Sequence, residues 1–387
     1  MRVLLVVTPV NSHLLPIVPL AWALSAAGHQ VLLCGEPVAA ATARAAGLHA
    51  VEVDAPPPAP PAPQAVRPKQ APARTAAPGP GWQPDWDKLA ANWQRRVGRV
   101  IDGYLSLARD FRPDVVVSDP LEFSGPIVAG ALGVPCVVHR WGPDLLTTQA
   151  REPARRALKS LAEQSGSLGG LPDPALLLDP SPPSLVAPGT DPGRPVRFVP
   201  YNGPGGYPGR RAATTGRTVC VSYSTRTVDE CGLDGIAALA EAFDGLDGVH
   251  ALITLTPEHA SALGPVPANV EVVDPAPLSL LLDGCTALIH HGGAGTGLTA
   301  LARGLPQLVL PQALPALDVY GERLAARGAG VRVALDGQSD SGVLREAVAS
   351  LLGDPGFASA AREVATEIAS MPLPADMVPQ IEQLALR

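Results

Sequence analysis

The segment 288–307, LIHHGGAGTGLTALARGLPQ, has the composition of a loop that binds an anion. Two histidines end an apolar run that predicts a strand, and glycines crowd the residues between this strand and a predicted helix. A glycine turn that opens a helix exposes backbone N–H groups beside the positive end of the helix dipole. In a doubly wound sheet such a turn lies beyond the carboxyl end of its strand, where ligands bind. The segment therefore predicts an anion site.

The segment lacks residues that two common phosphate-binding motifs require, and this limits which anion it could bind. A Walker loop needs a Gly-Lys-Ser/Thr ending, and no lysine is near. A dinucleotide fingerprint needs G-x-G-x-x-G, whereas Gly293, Gly295 and Gly297 alternate and Leu298 stands at the third glycine position. The pattern favours a diphosphate held by backbone amides and one imidazole, with Thr296 donating a hydroxyl.

A metal site is the alternative for His290 and His291. Adjacent residues on a strand point to opposite faces, and no cysteine or carboxylate cluster accompanies the pair. We therefore expect no metal.

A second candidate pair, His13 and Asp119, could perform acid–base chemistry. His13 is expected in the loop after the first strand, just before a helix that begins near residue 16, and a helix N-terminus favours the neutral imidazole that can accept a proton. Asp119 ends the run DVVVSD, so it should emerge at the same sheet edge and accept a hydrogen bond from one ring nitrogen. Taken alone, a single histidine of this kind is more often a surface loop residue.

Two α/β halves must position these residues. The first fifty residues alternate strand-like and helical runs, which predicts parallel βαβ units, and a new alternating series begins at TVCVSYST. We predict two Rossmann-like, doubly wound parallel-sheet domains, 1–200 and 217–374, joined by a linker at 201–216. The proline-rich stretch 55–84 is expected to be a mobile loop, and the amphipathic segment 375–387 is expected to pack back on the first half.

Composition excludes several classes of protein. The net charge of −7, with three lysines, argues against nucleic acid as a partner because phosphate-tracking surfaces need clustered positive charge. Five widely separated cysteines fit reduced packing residues in a cytoplasm. No apolar run approaches ~18 residues and no signal peptide is recognisable, so neither stable membrane insertion nor secretion is expected.

Four segments together carry a family resemblance: TALIHHGGAGTGLTALARGLPQLVLPQ, VVDPAPLSLLLDGC, RFVPYNGPGGYP and HLLPIVPLAWALSAAGHQV. They resemble the family 1 glycosyltransferases of GT-B fold, above all the actinobacterial enzymes that attach deoxysugars to polyketides. The likeness runs nearly end to end. It implies two lobes facing a cleft, with the nucleotide sugar, expected to be dTDP-linked, on the C-terminal lobe and a small hydrophobic aglycone on the N-terminal lobe. A homodimer is compatible with it.

The resemblance also implies residue roles. His291 is similar to the diphosphate-contacting histidine of the family, and the remaining donor-side positions are Ser224, Thr225, Pro277, Leu278, Gly293, Ala294, Gly295 and Thr296. The His13 and Asp119 pair resembles the family's catalytic dyad. The acceptor side is expected to include His139 and Trp141, although a packed structural corner explains HRWGPD equally well.

Two positions depart from the family pattern. Pro275 stands where a tryptophan is frequent, and the sugar-binding Asp-Gln pair is replaced by Ala316 and Leu317. Either Asp318 serves from a shortened loop, or the sugar hydroxyls are held differently.

The expected reaction is an inverting, metal-independent sugar transfer with no cofactor beyond the nucleotide sugar. Two alternatives stay open: a sugar-nucleotide epimerase on the same scaffold, and a non-catalytic helper paralogue. A nicotinamide oxidoreductase is disfavoured because the first turn, TPVNSH, contains no glycine.

Overall fold

The computed structural model describes residues 1–53, 84–207, 216–312 and 315–386, apart from the side chains of residues 315 and 316. Nearly all of the proline-rich stretch predicted to be a loop, and the second half of the predicted linker, lie outside the described residues. In the described part of the chain, no helix is both long enough and apolar enough to cross a lipid bilayer.

The N-terminal lobe is built around a seven-stranded parallel sheet of order β3-β2-β1-β4-β5-β6-β7. Its strands are short apolar runs, most of them buried on both faces, as parallel sheets covered by helices require. The elements are β1 (Arg2–Val6), α1 (Asn11–Leu14), α2 (Val18–Ala26), β2 (Gln30–Gly35), α3 (Pro37–Ala45), β3 (His49–Glu52), α4 (Trp86–Phe111), β4 (Val115–Ser118), α5 (Ser124–Leu132), β5 (Cys136–His139), α6 (Leu146–Gln164), β6 (Leu176–Asp179), a 3₁₀ turn (Pro183–Leu185) and β7 (Arg194–Pro195).

The C-terminal lobe repeats this plan with six parallel strands of order β10-β9-β8-β11-β12-β13. From this lobe to the end of the described chain the elements are, in order, β8 (Arg217–Ser222), α7 (Thr225–Cys231), α8 (Asp234–Phe243), β9 (Val249–Thr254), α9 (Pro257–Leu263), β10 (Val270–Val273), α10 (Leu278–Leu281), β11 (Ala287–His290), α11 (Ala294–Leu301), β12 (Gln307–Val309), α12 (Pro315–Ala326), β13 (Gly330–Arg332), a 3₁₀ helix (Leu335–Ser339), α13 (Ser341–Gly353), α14 (Pro355–Ser370) and α15 (Pro374–Ala385). The prediction of two Rossmann-like parallel-sheet domains in a GT-B arrangement is confirmed.

Each sheet has one point where the strand order reverses. In the first sheet β1 pairs with both β2 and β4, and in the second β8 pairs with both β9 and β11. Loops leaving the two central strands diverge there and open a crevice at the carboxyl edge, which is where ligands bind in such sheets. The candidate residues follow these strands in both lobes.

One local prediction was wrong: His13 does not lie in a loop. Asn11–Leu14 form a one-turn helix, closed by the Leu15 amide donating to the Asn11 carbonyl at 3.0 Å. Pro16 has no N–H to continue that turn, so α2 begins separately. Strand β8 ends at Ser222, before the end of the run TVCVSYST, because Ser224 caps the helix that follows. Helix α11 begins at Ala294, within the glycine-rich segment.

The C-terminal helix belongs to the core of the N-terminal lobe. Met377, Val378 and Ile381 of α15 are buried in the same cluster as strand β1 and helix α2. The chain thus crosses back after the second sheet is complete, and apolar burial holds the last helix to the first lobe.

We expect Ile381→Ala to lower the free energy of unfolding by about 2–5 kcal/mol, because a fully buried side chain leaves a cavity when it is truncated. Urea unfolding followed by circular dichroism measures this change. Leu386→Ala, at a side chain 87% exposed, is the control and should change it by less than about 0.5 kcal/mol. An equal effect of the two variants would contradict the packing described.

Candidate functional site

His13 and Asp119 meet at the carboxyl edge of the first sheet. Nδ1 of His13 lies 3.0 Å from Oδ1 of Asp119, and the carboxylate also accepts hydrogen bonds from the Thr8 amide at 2.6 Å and the Leu121 amide at 3.0 Å. A carboxylate accepts, so Nδ1 donates and the lone pair of the neutral ring is on Nε2. This is the tautomer that a general base needs.

Asp119 is held in its charged form by these contacts. Burial alone would raise the pKa of its carboxyl group, but attraction and hydrogen bonding to His13, together with the two backbone amides, bring the pKa below its usual value. The carboxylate is fully buried, whereas 18% of the His13 side-chain surface is exposed. The imidazole can therefore reach a ligand while the carboxylate orients it.

Trp141 packs against the catalytic candidate. Its ring centroid lies 4.2 Å from that of His13, so the loop after β5 forms a wall beside the imidazole. His139, the other residue expected on the acceptor side, is only 3% exposed, and its Nδ1 donates to the Arg140 carbonyl at 2.5 Å. Burial lowers the pKa of His139 to about 4. The structure brings Trp141 to the site and encloses His139 behind it.

A buried ion pair anchors the loop that carries Asp119, and the sequence analysis missed it. Glu122 is fully buried; one carboxylate oxygen pairs with Arg96 of α4 at 2.5 Å, and the other accepts from the Ser124 amide at 3.1 Å. Arg96 also reaches Glu36 at 3.0 Å. The signal was present, because Arg96 lies four residues before Val100 on the apolar stripe of α4, where a charge needs a partner.

A cavity lies next to Asp119 in the N-terminal lobe. Its lining includes the apolar side chains of Phe123, Val138 and Leu177 and the buried guanidinium of Arg140. That guanidinium pairs with Asp179 at 2.6 Å. The lining also includes Arg151, which pairs with Asp191, so the wall combines apolar side chains with two ion-paired arginines.

The glycine loop, residues 292–297, lies at the equivalent edge of the second sheet. Gly293 is the N-cap residue of α11 in an extended conformation, and no side chain caps the helix. The first intrahelical hydrogen bond runs from the Gly297 amide to the Gly293 carbonyl at 3.0 Å. The amides of Ala294, Gly295 and Thr296 consequently have no partner within the helix. These three amides are therefore the candidates for the anion cradle that the sequence predicts.

His291 lies beside this cradle. A Cβ built on Gly293 would lie 2.7 Å from Nε2 of His291, so a larger residue at 293 would displace the imidazole. Burial lowers the pKa of His291 to about 4; the nearby Ser222 backbone opposes this shift in part but gives the buried Nδ1 no hydrogen bond. The ring is neutral near pH 7 and can donate one hydrogen bond to an anion.

The two lobes touch where these sites face each other. A Cβ built on Gly142, which follows Trp141, would lie 2.8 Å from the Cβ of Ala294. Asn202 adds a polar contact: its amide donates to the Thr299 hydroxyl at 3.0 Å and its carbonyl accepts from the Ser279 amide at 3.0 Å. The acceptor-side wall therefore abuts the start of α11.

The other donor-side residues occupy different environments. Ser224 caps α7, its hydroxyl accepting from the Thr227 amide at 3.0 Å, and it is exposed together with Thr225 at the end of the β8 edge. Pro277 and Leu278 begin α10, and Pro277 contacts Gly205 of the linker. These positions surround the glycine loop through strands β8 and β11.

Asp318 is committed to another partner. Its Oδ1 accepts from Nε of Arg332 at 2.5 Å. At Gly292, the part of α12 nearest the glycine loop is the Leu317 carbonyl, which would lie 2.7 Å from a Cβ built on Gly292. The structure therefore gives Asp318 an ion pair with β13 rather than a contact with the cradle.

Family models match both lobes. The N-terminal domain of the erythromycin biosynthesis protein CIII-like family matches residues 22–224, and its C-terminal domain matches residues 239–384. Among characterised relatives, the chain is 33% identical to tylactone mycaminosyltransferase of Streptomyces fradiae, over 99% of this chain and 92% of the relative. It is 34% identical to the elloramycin glycosyltransferase ElmGT of Streptomyces olivaceus, over 98% and 97%.

Solved structures give the same result. The chain is similar to the spinosyn rhamnosyltransferase SpnG in complexes with thymidine diphosphate and with spinosyn aglycone, with a TM-score of 0.87, 36% identity and coverage of 99% of this chain and 100% of SpnG. It is also similar to the glycosyltransferase VinC in complex with dTDP, with a TM-score of 0.82, 28% identity and full coverage of both chains.

The buried neutral histidines predict a loss of stability in acid. The folded-state pKa values of His139 and His291 are lowered to about 4, whereas an unfolded histidine titrates near 6.5. The unfolded chain binds more protons between these values, so the free energy of unfolding should be fully present above pH 6.5 and fall as pH drops toward 4, by about 1.4 kcal/mol per pH unit for each histidine.

Urea unfolding between pH 7.5 and 5 tests this expectation. His139→Gln keeps a donor for the Arg140 carbonyl but cannot titrate, so we expect a shallower slope of stability against pH. His49→Gln, at an exposed position, is the control and should leave the slope unchanged. Identical slopes in all three proteins would rule out the explanation.

Proposed function

Because the chain belongs to the erythromycin biosynthesis protein CIII-like family of natural-product glycosyltransferases, we propose that it moves a deoxysugar from a dTDP-linked donor to a hydrophobic aglycone with inversion at the anomeric carbon. One observation carries the proposal. The His13–Asp119 pair lies at one sheet edge, and the amides of residues 294–296, which have no hydrogen bond within α11, lie at the facing edge.

The acceptor half of the reaction falls to His13. An acceptor hydroxyl loses its proton to Nε2, and the oxygen attacks the anomeric carbon of the donor from the face opposite the diphosphate. Asp119 keeps Nδ1 protonated and stabilises the imidazolium that forms. The apolar side chains in the lining of the cavity beside Asp119, among them Phe123, Val138 and Leu177, support a hydrophobic acceptor.

The donor half falls to the glycine loop. As the new oxygen–carbon bond forms, the bond from the anomeric carbon to the diphosphate breaks and its electron pair leaves with the nucleoside diphosphate. The amides of residues 294–296, which have no hydrogen bond within α11, the dipole of α11 and the neutral His291 would stabilise the charge that develops on the leaving diphosphate. Stabilisation of this kind needs neither a metal ion nor a proton donated to the leaving group.

The sugar itself requires contacts other than the family's Asp-Gln pair. With Ala316 and Leu317 at those positions and Asp318 paired to Arg332, no carboxylate–amide pair is offered at this point. This fits a deoxysugar, which has fewer hydroxyl groups to bind than a hexose. Similarity to tylactone mycaminosyltransferase, whose name denotes transfer of an amino deoxysugar, supports the same class of donor.

The assay combines the protein with dTDP- and UDP-sugars, with and without macrolactone or aromatic polyketide acceptors. We expect release of nucleoside diphosphate that depends on acceptor and on a dTDP-sugar. Epimerised sugar nucleotide without acceptor would instead identify an epimerase, and binding without turnover would identify a helper protein.

We expect His13→Ala to lower kcat by roughly 10²–10⁴-fold, because it removes the general base, while the affinity for thymidine diphosphate stays unchanged. Steady-state kinetics and calorimetry measure the two quantities. Asp119→Asn should lower kcat in the same direction, and the double variant should be no slower than His13→Ala, because the two residues act as one unit.

A matched control is available in the second lobe. His259 pairs with Asp229 at the same 3.0 Å, but on an exposed surface. His259→Ala should leave kcat unaltered. If His13→Ala retained more than a tenth of native kcat, the assigned base would be wrong.

A further inference from the structure

A buried polar network lies directly beneath the glycine loop, and Gln307 is its centre. Gln307 is the first residue of β12 and is fully buried. Its side-chain amide touches three elements: His290 at the end of β11, Gly297 in α11 and Tyr320 in α12. None of these contacts has a part in the reaction described above.

The donors and acceptors of the network allow a single arrangement. The Gly292 amide donates to Nδ1 of His290 at 3.2 Å, so Nδ1 carries no proton and the ring holds it on Nε2. That Nε2–H donates to Oε1 of Gln307 at 2.8 Å, and the Tyr320 hydroxyl donates to the same oxygen at 3.0 Å. Nε2 of Gln307 then donates to the Gly297 carbonyl at 3.0 Å. In this arrangement each of the four hydrogen bonds has a defined donor and a defined acceptor.

The neutral state of His290 is essential to this arrangement, since an imidazolium could not accept from the Gly292 amide. Burial and the neighbouring His291 lower its pKa to about 3, which keeps the ring neutral over the whole working range of pH.

The two points that the network reaches on the loop bracket the anion cradle. Gly292 precedes the free amides of residues 294–296 and Gly297 follows them. Gly297 is also pressed against α12: a Cβ built there would collide with the Tyr320 hydroxyl. Loop and helix are thereby fixed from both ends relative to β12, which sets the direction of the amides between them.

We propose that Gln307 is a positioning residue for the diphosphate site, acting through His290 on Gly292 and directly on Gly297 to orient the amides of residues 294–296. The inference rests on the proposed function, in which those amides hold the donor diphosphate. Amides oriented before the ligand arrives lose little entropy on binding and need little rearrangement as charge develops.

Methionine at this position would fill the space without the hydrogen bonds. Gln307→Met would leave two buried polar groups without their partner, namely the His290 N–H and the Tyr320 hydroxyl, and would remove the side-chain hydrogen bond to the Gly297 carbonyl. We expect the dissociation constant for thymidine diphosphate to rise on the order of tenfold, with a similar rise in KM for the sugar nucleotide.

A variant outside the network separates positioning from general stability. Asn269→Leu removes two amide hydrogen bonds to the Phe243 and Val249 carbonyls before β10, at the opposite edge of the same sheet. Its stability should fall, while its affinity for thymidine diphosphate should stay at the native value.

Gln307→Glu keeps the shape of the side chain and should make the affinity for thymidine diphosphate depend on pH. A purely structural role of residue 307 would not produce this dependence. The introduced carboxyl group, when protonated, donates to the Gly297 carbonyl as the native amide does, whereas its ionised form repels that carbonyl; His290 and Tyr320 remain donors in both states. The affinity for thymidine diphosphate, taken relative to native protein at each pH from 6 to 9, should therefore fall as pH rises. This variant also decides the matter if Gln307→Met does not fold.

Calorimetric titration of thymidine diphosphate, with urea unfolding of the same samples, decides between the outcomes. Weak binding confined to the Gln307 variants would support the inference. Native affinity in folded Gln307→Met, or a pH-independent ratio of one for Gln307→Glu, would overturn the inference alone. No binding by the native protein would overturn the proposed function together with it.

Discussion

Both candidate sites depend on how the central strand of each sheet is paired. β1 lies in parallel between β2 and β4, and β8 lies in parallel between β9 and β11. Between β1 and β4 this pairing brings Thr8 beside Asp119 and leaves His13 above them, although 106 residues separate the imidazole from its carboxylate. Between β8 and β11 it places the end of β8 beside the glycine loop in the same way. Two copies of one topology thus position the proposed proton acceptor and the proposed anion cradle, each at the carboxyl edge of its own sheet.

Charge is managed by neutral and fixed groups rather than by mobile cations. The chain carries a net charge of −7, yet the proposed diphosphate site contains amides, a helix terminus and a buried neutral histidine. Such groups need no desolvation of a lysine and no counter-ion at the moment of reaction. Buried charges occur in the N-terminal lobe as ion pairs, Arg96 with Glu122 and Arg140 with Asp179.

Sequence reasoning could predict what depends on local pattern and on strand ends. Alternating apolar runs gave the two parallel-sheet lobes, and the positions of His13, Asp119 and the glycines after strands were enough to expect sites at sheet edges. It could not foresee that residues 11–14 close a helical turn, since a single turn has no periodicity. Nor could it pair Asp318 with Arg332 or join His290, Gln307 and Tyr320, because those contacts arise only when α12 packs across β12 and β13.

The contact between Gly142 and Ala294 has a consequence for engineering by recombination. Each lobe carries the residues proposed for one half of the reaction. Exchanging whole lobes between relatives is therefore an obvious way to combine a new sugar donor with a new acceptor. The seam, however, contains two of the smallest side chains against each other, and any residue with a Cβ at 142 would meet both Ala294 and Leu298. A chimera joined at the linker would take residue 142 from one parent and residue 294 from the other. Its lobes would meet as they do here only if both positions kept small residues.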